Sequence, residues 1–391
     1  MSIPFVYSYR GIAVRKGSSS MAVGGIALVV LVFVSLLALA AGLRAAVSSS
    51  GSPNNVLIIR KGADAELQSQ VTRDSGRILS ELPCVASDAS GRKLFSTESL
   101  IIFNRKKKDG GVANISVRGV PEIGPSVHTG LQMIQGRWMT PGTDEAVIGV
   151  GLARRLEGFS LGQSVDAGRH DWKIVGVFEA AGSSLESEMW IDVDQLQNAF
   201  NRGSIFQSFL FRASGDPKAA TQTMEDLFST DPRLHSMMAQ QESAYYTKQA
   251  QLMATVITVL GGILTAIMAM GAIVGAMNTM YASVSQRKRE IGCLLAMGFT
   301  PGSIWAAFLL ESLLLSILGA IIGSAIAMLL NGMKTGTTNW ATFSETAFEF
   351  RVTPGILIVA SLLALVMGFI GGMLPAISAA RMKVVDALRR T

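Results

Sequence analysis

Charge is scarce in this sequence. Only 16% of its 391 residues are Asp, Glu, Lys or Arg, against about 25% in an ordinary soluble domain. That poverty argues against one soluble globule and against a disordered chain. Cysteine is scarcer still. Cys84 and Cys293 are the only two, which excludes a disulfide-stapled scaffold. Histidine is limited to His128, His170 and His235, scattered along the chain. No HExxH, CxxC or GxSxG occurs, so no metal site is expected, no catalytic residue is assigned, and the three histidines read as structural. The sequence also holds no GxxxxGK[ST] and no Gly-Lys dipeptide, so it lacks the phosphate cradle of a P-loop.

What the sequence has in excess is apolar length. Residues 21–43 carry no charge, and neither do residues 249–286. Residues 303–331 contain a single charge, Glu311, and residues 352–380 contain none. About 20 apolar residues at about 1.5 Å rise cross a hydrocarbon core of about 30 Å, so each run is long enough to span. Four buried helices of a soluble core would rarely be charge-free for such lengths. The first run is also too long for a cleaved signal segment, whose apolar part is about 7–15 residues, and reads as a retained anchor.

The cations sit beside these runs. Arg10, Arg15 and Lys16 precede the first; Arg287, Lys288 and Arg289 join the second to the third; Arg381, Lys383, Arg389 and Arg390 follow the fourth. Only Glu290 and Asp386 oppose them, which gives these strips a net charge of +8. Lys and Arg flanking spans stay in the cytoplasm, so both termini and the 285–302 loop are expected inside. Residues 44–248 have a net charge of −1. The high isoelectric point therefore comes from membrane-flanking strips, and a nucleic-acid surface is not expected. The one basic cluster in the large segment, Arg105 to Lys108, precedes Asp109-Gly110 and reads as a solvated hairpin tip.

The expected fold class is a membrane protein with four transmembrane α-helices and a large α+β extracytoplasmic domain. Its parts are an amphipathic leader (1–20), a first span (21–43), the outer domain (44–248), a second span with an outer stalk (249–284), a coupling loop (285–302), a third span (303–331), an outer loop (332–352), a fourth span (353–380) and a tail (381–391). In the leader, Phe5, Tyr9 and Ile12 share a face beside the cations, which fits a helix in the inner interface. In the outer domain, short Val- and Ile-rich pieces predict strands at 55–60, 99–104, 112–120, 145–148, 172–178, 189–193 and 206–212. Helices are predicted at 65–82, 151–156, 193–201 and 217–228. Cys84 and Cys293 fall on opposite sides of the membrane in this arrangement and read as free thiols.

The loop from Ser285 to Pro301 is the most informative stretch. A charged turn, Arg287-Lys288-Arg289-Glu290, leads into Ile291, Leu294, Leu295 and Gly298 at helical spacing. This predicts a short amphipathic helix against the membrane face. The run Arg-Lys-Arg-Glu-Ile-Gly, then Ala296-Met297-Gly298, then a span with Glu311 and Gly319, resembles the FtsX/MacB-type permeases of ABC transporters. Pro375-Ala376, Ala379-Ala380-Arg381 and Asp386-Ala387-Leu388-Arg389 resemble that family's C-terminal signature. Gly136-Arg137, Ala146-Val147-Ile148, Leu152-Ala153, Leu161-Gly162 and Trp172 to Val177 resemble the MacB branch's periplasmic domain.

The resemblance implies a dimeric permease in a bacterial inner membrane, with an ABC ATPase subunit binding ATP and Mg. No cofactor is expected on this chain itself. It implies that Arg287, Arg289, Glu290, Ile291, Gly292, Leu295 and Gly298 couple to that ATPase. It is compatible with export through a periplasmic adaptor (a membrane fusion protein), with FtsX-like activation of a cell-wall hydrolase, and with lipoprotein release; the large outer domain favours the first. A membrane-anchored sensor without an ATPase is the reading from a different class, and it would need no docking helix. The 38 uncharged residues of the second run make about 57 Å of helix, longer than the bilayer, which predicts a stalk acting as a lever. Gly271 and Gly275, Gly319 and Gly323, and Gly368 and Gly372 each pair on one helix face and predict close helix packing. Glu311 is expected in a hydrogen-bonded packing role near the inner boundary, a proton relay being the sharper alternative.

Overall fold

The computed structural model describes residues 16–108, 110–338 and 345–384. The leader, the tip residue Asp109 and the tail signature from Asp386 onward lie outside the described residues. The chain divides into two compact units: one holds the chain up to Ala41, Thr255–Met333 and the chain from Phe350; the other holds Gly42–Ala254 and Lys334–Glu349.

In chain order the elements begin with α1 (Lys16–Ser48) and β1 (Asn55–Arg60). A 3-10 turn (Glu66–Gln68), β2 (Val71–Thr72), α2 (Arg73–Ser80), β3 (Phe95–Lys106) and β4 (Val112–Val120) follow. Next come α3 (Gly124–Val127), β5 (Gln132–Gly136), β6 (Glu145–Gly149), α4 (Val150–Arg155), β7 (Ser164–Ala167) and β8 (His170–Glu179). A second 3-10 turn (Ser184–Ser187) leads to β9 (Glu188–Asp192), α5 (Val193–Ala199), β10 (Ile205–Phe206), β11 (Ser208–Arg212), α6 (Pro217–Thr230) and β12 (Met237–Gln241). The chain closes with α7 (Glu242–Gln286), α8 (Lys288–Ala296), α9 (Pro301–Met328), β13 (Lys334–Thr338), β14 (Glu345–Glu349) and α10 (Pro354–Ala380).

The α+β unit is built on one sheet with strand order β12-β1-β11-β3-β4-β9-β6-β8-β5, with β7 added on β8. Its pairings are antiparallel except β4 with β9 and β6 with β8. Three apolar clusters pack on it: one gathers Trp172, Phe159, Ile148 and Leu196, a second Phe95, Phe209, Phe211 and Met224, and a third Val147, Phe178 and Trp190. The predicted helix over 65–82 is broken. The Ser69 hydroxyl accepts from the Arg60 amide at 2.8 Å, Val71–Thr72 pairs with β10, and Thr72 caps α2 by accepting from Ser75 N. These pairings satisfy the backbone better than one continuous helix whose middle would need Ser69 to Thr72. β12 was not expected. The 332–352 loop is also more than a connection: β13 and β14 form a hairpin within the α+β unit, where Ala347 N donates to Ser187 Oγ at 2.9 Å and Phe348 is buried.

Among the described residues, four helices are long and apolar enough to cross a membrane. α9 and α10 start by the same device. Thr300 and Thr353 accept from the amides of Ser303 and Ile356, and Pro301 and Pro354 occupy the first helical position. Those positions leave the amide unpaired in any helix, so proline costs nothing there. α1 packs in the bundle through Ile26, Val30 and Val34, against Ala320, Ala360 and Ala364.

Candidate functional site

The corner where α7, α8 and α9 meet is organised by Arg287. α7 ends at Gln286, and Arg287 leaves helical geometry at ψ 17° before α8 begins. Its side chain is only 5% exposed. Nη1 donates to Glu311 Oε2 at 2.9 Å, Nε donates to Glu290 Oε2 at 3.2 Å, and the guanidinium lies 5.3 Å from the Phe308 ring centroid. Ser283 Oγ lies 3.5 Å from Glu311 Oε1. A carboxylate deep in an apolar helix is costly unless paired, and here the pairing ties α9 to the junction of α7 and α8.

α8 then turns its apolar stripe inward. Ile291 is fully buried with Met280, Val284, Ile304 and Phe308, and Gly292 is buried beside it. Leu295 packs against the same cluster. Gly298 ends the helix at φ +93°, a left-handed conformation that only glycine adopts cheaply, and its amide donates to the Leu295 carbonyl at 3.1 Å. Of the residues expected to couple to an ATPase, Arg287, Ile291 and Gly292 are buried in this corner. Exposed on α8 and just beyond it are Lys288, Arg289, Glu290, Cys293, Ala296 and Met297, the last at 64%. Met297 and Cys293 were missed because a helical wheel shows which side is apolar but not which side the chain itself covers.

The glycine pairs separate in the same way. A Cβ on Gly319 would meet Ile26 at 2.8 Å, and one on Gly323 would collide with the Ala27 carbonyl oxygen, so this pair carries the α1–α9 contact. A Cβ on Gly368 would meet Ser316 Oγ at 2.5 Å, and one on Gly372 would collide with Ser312, which donates to the Gly368 carbonyl at 2.6 Å. Gly271 and Gly275 on α7 have no neighbour within 4 Å of such a Cβ among the described residues, so they pack no described helix of this chain. Gly323→Ala is therefore expected to lower stability by about 1–3 kcal/mol through overpacking, whereas Gly275→Ala leaves the monomer unchanged or slightly more stable. Thermal unfolding of the two variants in detergent checks the contrast.

A second polar cluster lies inside the α+β unit. Arg118 on β4 is bidentate to Glu188 on β9, with Nε to Oε2 at 2.8 Å and Nη2 to Oε1 at 2.9 Å. It also donates to Glu98 on β3 at 2.6 Å and to Glu66 at 3.1 Å. His128 Nε2 lies 2.8 Å from Glu98 Oε1, and its Nδ1 lies 3.9 Å from Glu242 Oε1. Glu242, the first residue of α7, accepts from Ser52 N and Asn55 Nδ2, both at 2.9 Å. Tyr245 hydroxyl accepts from the Glu66 amide at 2.9 Å and from Gln249 Nε2 at 2.6 Å. Burial opposes the ionisation of Glu98, but His128 and Arg118 outweigh it and hold that carboxyl at about 2. For Glu242 burial wins over His128 and the two donors, and the carboxyl is pushed up to about 7. Burial likewise raises Glu66 against the pull of Arg118. Burial disfavours the charged form of His128, yet Glu98 outweighs it and raises the imidazole. No local motif announces this cluster, because its members come from separate elements. The other histidines do nothing comparable: His170 bonds to Asp144 and His235 sits against the Ser229 carbonyl. Among the described residues there is no group of three His, Cys, Asp or Glu side chains suited to a metal.

Comparison with known proteins agrees with this architecture. The FtsX-like permease C-terminal family matches residues 250–384, and the MacB-like periplasmic core domain matches residues 19–227. The chain is 26% identical over 407 residues to the "Macrolide export ATP-binding/permease protein MacB" of Hyphomonas neptunium, covering 97% of this chain and 60% of that one. It is 28% identical over 237 residues to the "Uncharacterized ABC transporter permease YknZ" of Bacillus subtilis, covering 59% of this chain and 57% of that one. The periplasmic region of MacB from Actinobacillus actinomycetemcomitans aligns with a TM-score of 0.38 and 14% identity, over 50% of this chain and 92% of that one. The chain thus spans 60% or less of the length of these curated full-length relatives. With a MacB-like core domain over half its length, an FtsX-like segment after it and four apolar helices, the chain is a membrane protein that belongs to the MacB-like permease family of ABC transporters.

Proposed function

We propose that this chain is the transmembrane subunit of an ATP-driven complex. An ATPase outside this sequence supplies the energy, and the α+β unit on the outer face of a bacterial inner membrane receives it as motion. Both chain ends and α8 lie on the cytoplasmic side in this reading, consistent with the +8 charge of the flanking strips. The observation that carries the reading is α7. It is one unbroken helix of 45 residues, about 67 Å long at the standard rise. Residues Glu242–Ala254 belong to the α+β unit and Thr255–Gln286 to the helical unit. Where it ends, Arg287 and Glu311 brace it against α9. A helix braced at one end and rooted at the other transmits displacement without a substrate tunnel through the bilayer.

The ATPase would meet the exposed face of α8. Arg289 and Glu290 supply register and association rate there, and Met297 supplies apolar area. A second copy of the chain or a close relative would pack on the open face of α7 around Gly271 and Gly275. Export of a substrate taken from the outer side, through a periplasmic adaptor, is the cargo reading that the MacB relatives support.

Affinity purification of the tagged full chain from native membranes tests this. The expected result is co-purification of an ATPase, reduced tenfold or more by Arg289→Asp with Met297→Asp, a loss of about 1.4 kcal/mol or more. Recovery of no ATPase with the unaltered chain would overturn the proposal.

A further inference from the structure

The buried cluster in the α+β unit holds more carboxylate than cation. Glu66, Glu98, Glu188 and Glu242 are all buried, and they face only Arg118 and His128. With every group ionised, the interior would hold two negative charges beyond its positive ones. Uncompensated charge in a low-dielectric interior is expelled as a change of protonation. The cluster therefore retains protons, and its geometry says where. Arg118 already pairs Glu188 and Glu98 through short charge-assisted bonds. Among the described residues Glu242 has no cation in hydrogen-bond range; His128 lies at 3.9 Å. Glu66 has the longest of the Arg118 bonds, at 3.1 Å.

Glu242 also sits where a proton has mechanical consequence. It is the first residue of α7, and its Oε2 holds the Ser52 amide and the Asn55 side chain of the opposite end of the unit. Asn55 Nδ2 extends the same link to the Val127 carbonyl, next to His128, while Asn55 Oδ1 is buried with no partner.

We propose that this cluster is a proton-operated joint at the root of α7, tight while protons are shared among Glu242, His128 and Glu66 and loosened when they leave. Glu242 is the positioning residue: it touches no cargo and acts by seating the helix that carries the displacement. The groups facing it are Ser52 and Asn55 from the chain entering β1, and His128 from the turn after α3. His128 in turn faces Glu98 on β3 and lies 4.9 Å from the Trp190 ring on β9. Beyond them lie Arg118 on β4, Glu188 on β9, Glu66 in the 3-10 turn, and Tyr245 and Tyr246 on α7 itself. Burial raises both tyrosines, so they stay neutral and do not compete for the proton. Arg212 is bound to the Ser126 and Val127 carbonyls, one residue from His128.

The sign follows from linkage. Glu242 is raised to about 7 from an ordinary value of 4.5, so its contribution is complete below 4.5 and is lost as pH rises through about 7. His128 and Glu66 are also raised and act in the same direction. Glu98, held at about 2, acts oppositely and only in strong acid. If the unit lies on the outer face, as proposed above, the joint reads the pH of the surroundings. The joint itself needs no ATPase, so its test is independent of that reading.

The test is hydrogen exchange of residues 243–250 in the full chain in lipid nanodiscs, with no ATPase present, corrected for intrinsic exchange. Between pH 5.5 and 8.5 protection is expected to fall about thirtyfold, the ratio that a carboxyl at about 7 gives by linkage. Glu242→Gln, which keeps the acceptor and cannot ionise, is expected to reduce this dependence to less than about fivefold. His128→Gln removes the cation that favours ionised Glu242 and is expected to move the midpoint to higher pH. Protection independent of pH in the unaltered chain overturns the proposal, as does an unchanged dependence in Glu242→Gln. Should Glu242→Gln fail to accumulate, the direction of the midpoint shift in His128→Gln decides the matter.

Discussion

Replacing Arg118 by Met is expected to leave the α+β unit unfolded at neutral pH. The guanidinium is the shared partner of Glu66, Glu98 and Glu188, and all four groups are buried. Removing one partner of a buried pair costs about 3–5 kcal/mol because the other charge is left uncompensated, and here three carboxylates are affected at once. Folded domains are stable by only about 5–15 kcal/mol, so the loss takes most or all of the margin. Trp190 Nε1 still donates to Glu188 Oε2 at 2.8 Å in the variant, and that single bond does not offset the charge. Circular dichroism and protease resistance of the full chain report the outcome. Adding Glu66→Gln and Glu188→Gln to Arg118→Met should restore much of the fold, because neutral amides tolerate the site. If Arg118→Met alone resists protease as well as the unaltered chain, the cluster does not hold the unit together.

The second large effect is expected at Glu311. Glu311→Ala strands the Arg287 guanidinium between Phe308 and Glu290 with its buried carboxylate gone. The cost is again about 3–5 kcal/mol for the single change, read as a lower midpoint of thermal unfolding in detergent. Arg287→Met with Glu311→Leu removes both charges, and most of the stability should return. On the coupling role proposed above, the double variant is expected to remain poor at passing on the motion of an ATPase even so, because the brace between α7 and α9 is lost while the exposed face of α8 is untouched. That split separates the two roles. Stability follows the charge balance, whereas coupling follows the tie. Equal stability of Glu311→Ala and the double variant would show that the pair is not what organises the corner. Retained function in the double variant would show that the brace carries no motion.

How much of this was legible beforehand differs by region. The spans followed from runs without charge, since a carboxylate or ammonium in lipid is prohibitively costly. β1 and β4 were also plain at 55–60 and 112–120, being short and β-branched between turn residues. The 65–82 helix was not, because its interruption depends on a hydroxyl at Ser69 bonding to Arg60 and on a two-residue pairing with Ile205–Phe206. Helical spacing in that window is real, but partners distant in sequence outbid it. β12 reads MMAQQ, with no strand signature of its own, and exists because it completes the edge beside β1.

The same division runs through the functional residues. α8 could be located from Arg287 to Gly298, since the charged turn, the apolar spacing and the terminal glycine are local features. Which of its faces is free could not, because Ile291 is claimed by Met280 and Phe308, residues on other helices. Three pairs of glycines look alike as text, yet two pack against neighbours and Gly271 with Gly275 does not.

The sequence by itself determined that this chain crosses a membrane four times, carries a large mixed domain and belongs with permeases of its type. Those properties depend on hydrophobic length, flanking charge and short motifs, all of which act over neighbouring residues. Only the tertiary structure decided that Arg287 answers Glu311, and that His128, Glu98, Arg118 and Glu242 meet in one buried cluster. An ion pair in a low-dielectric interior depends on which elements come together, and its partners lie 20 to 114 residues apart along the chain. No local pattern records such a distance.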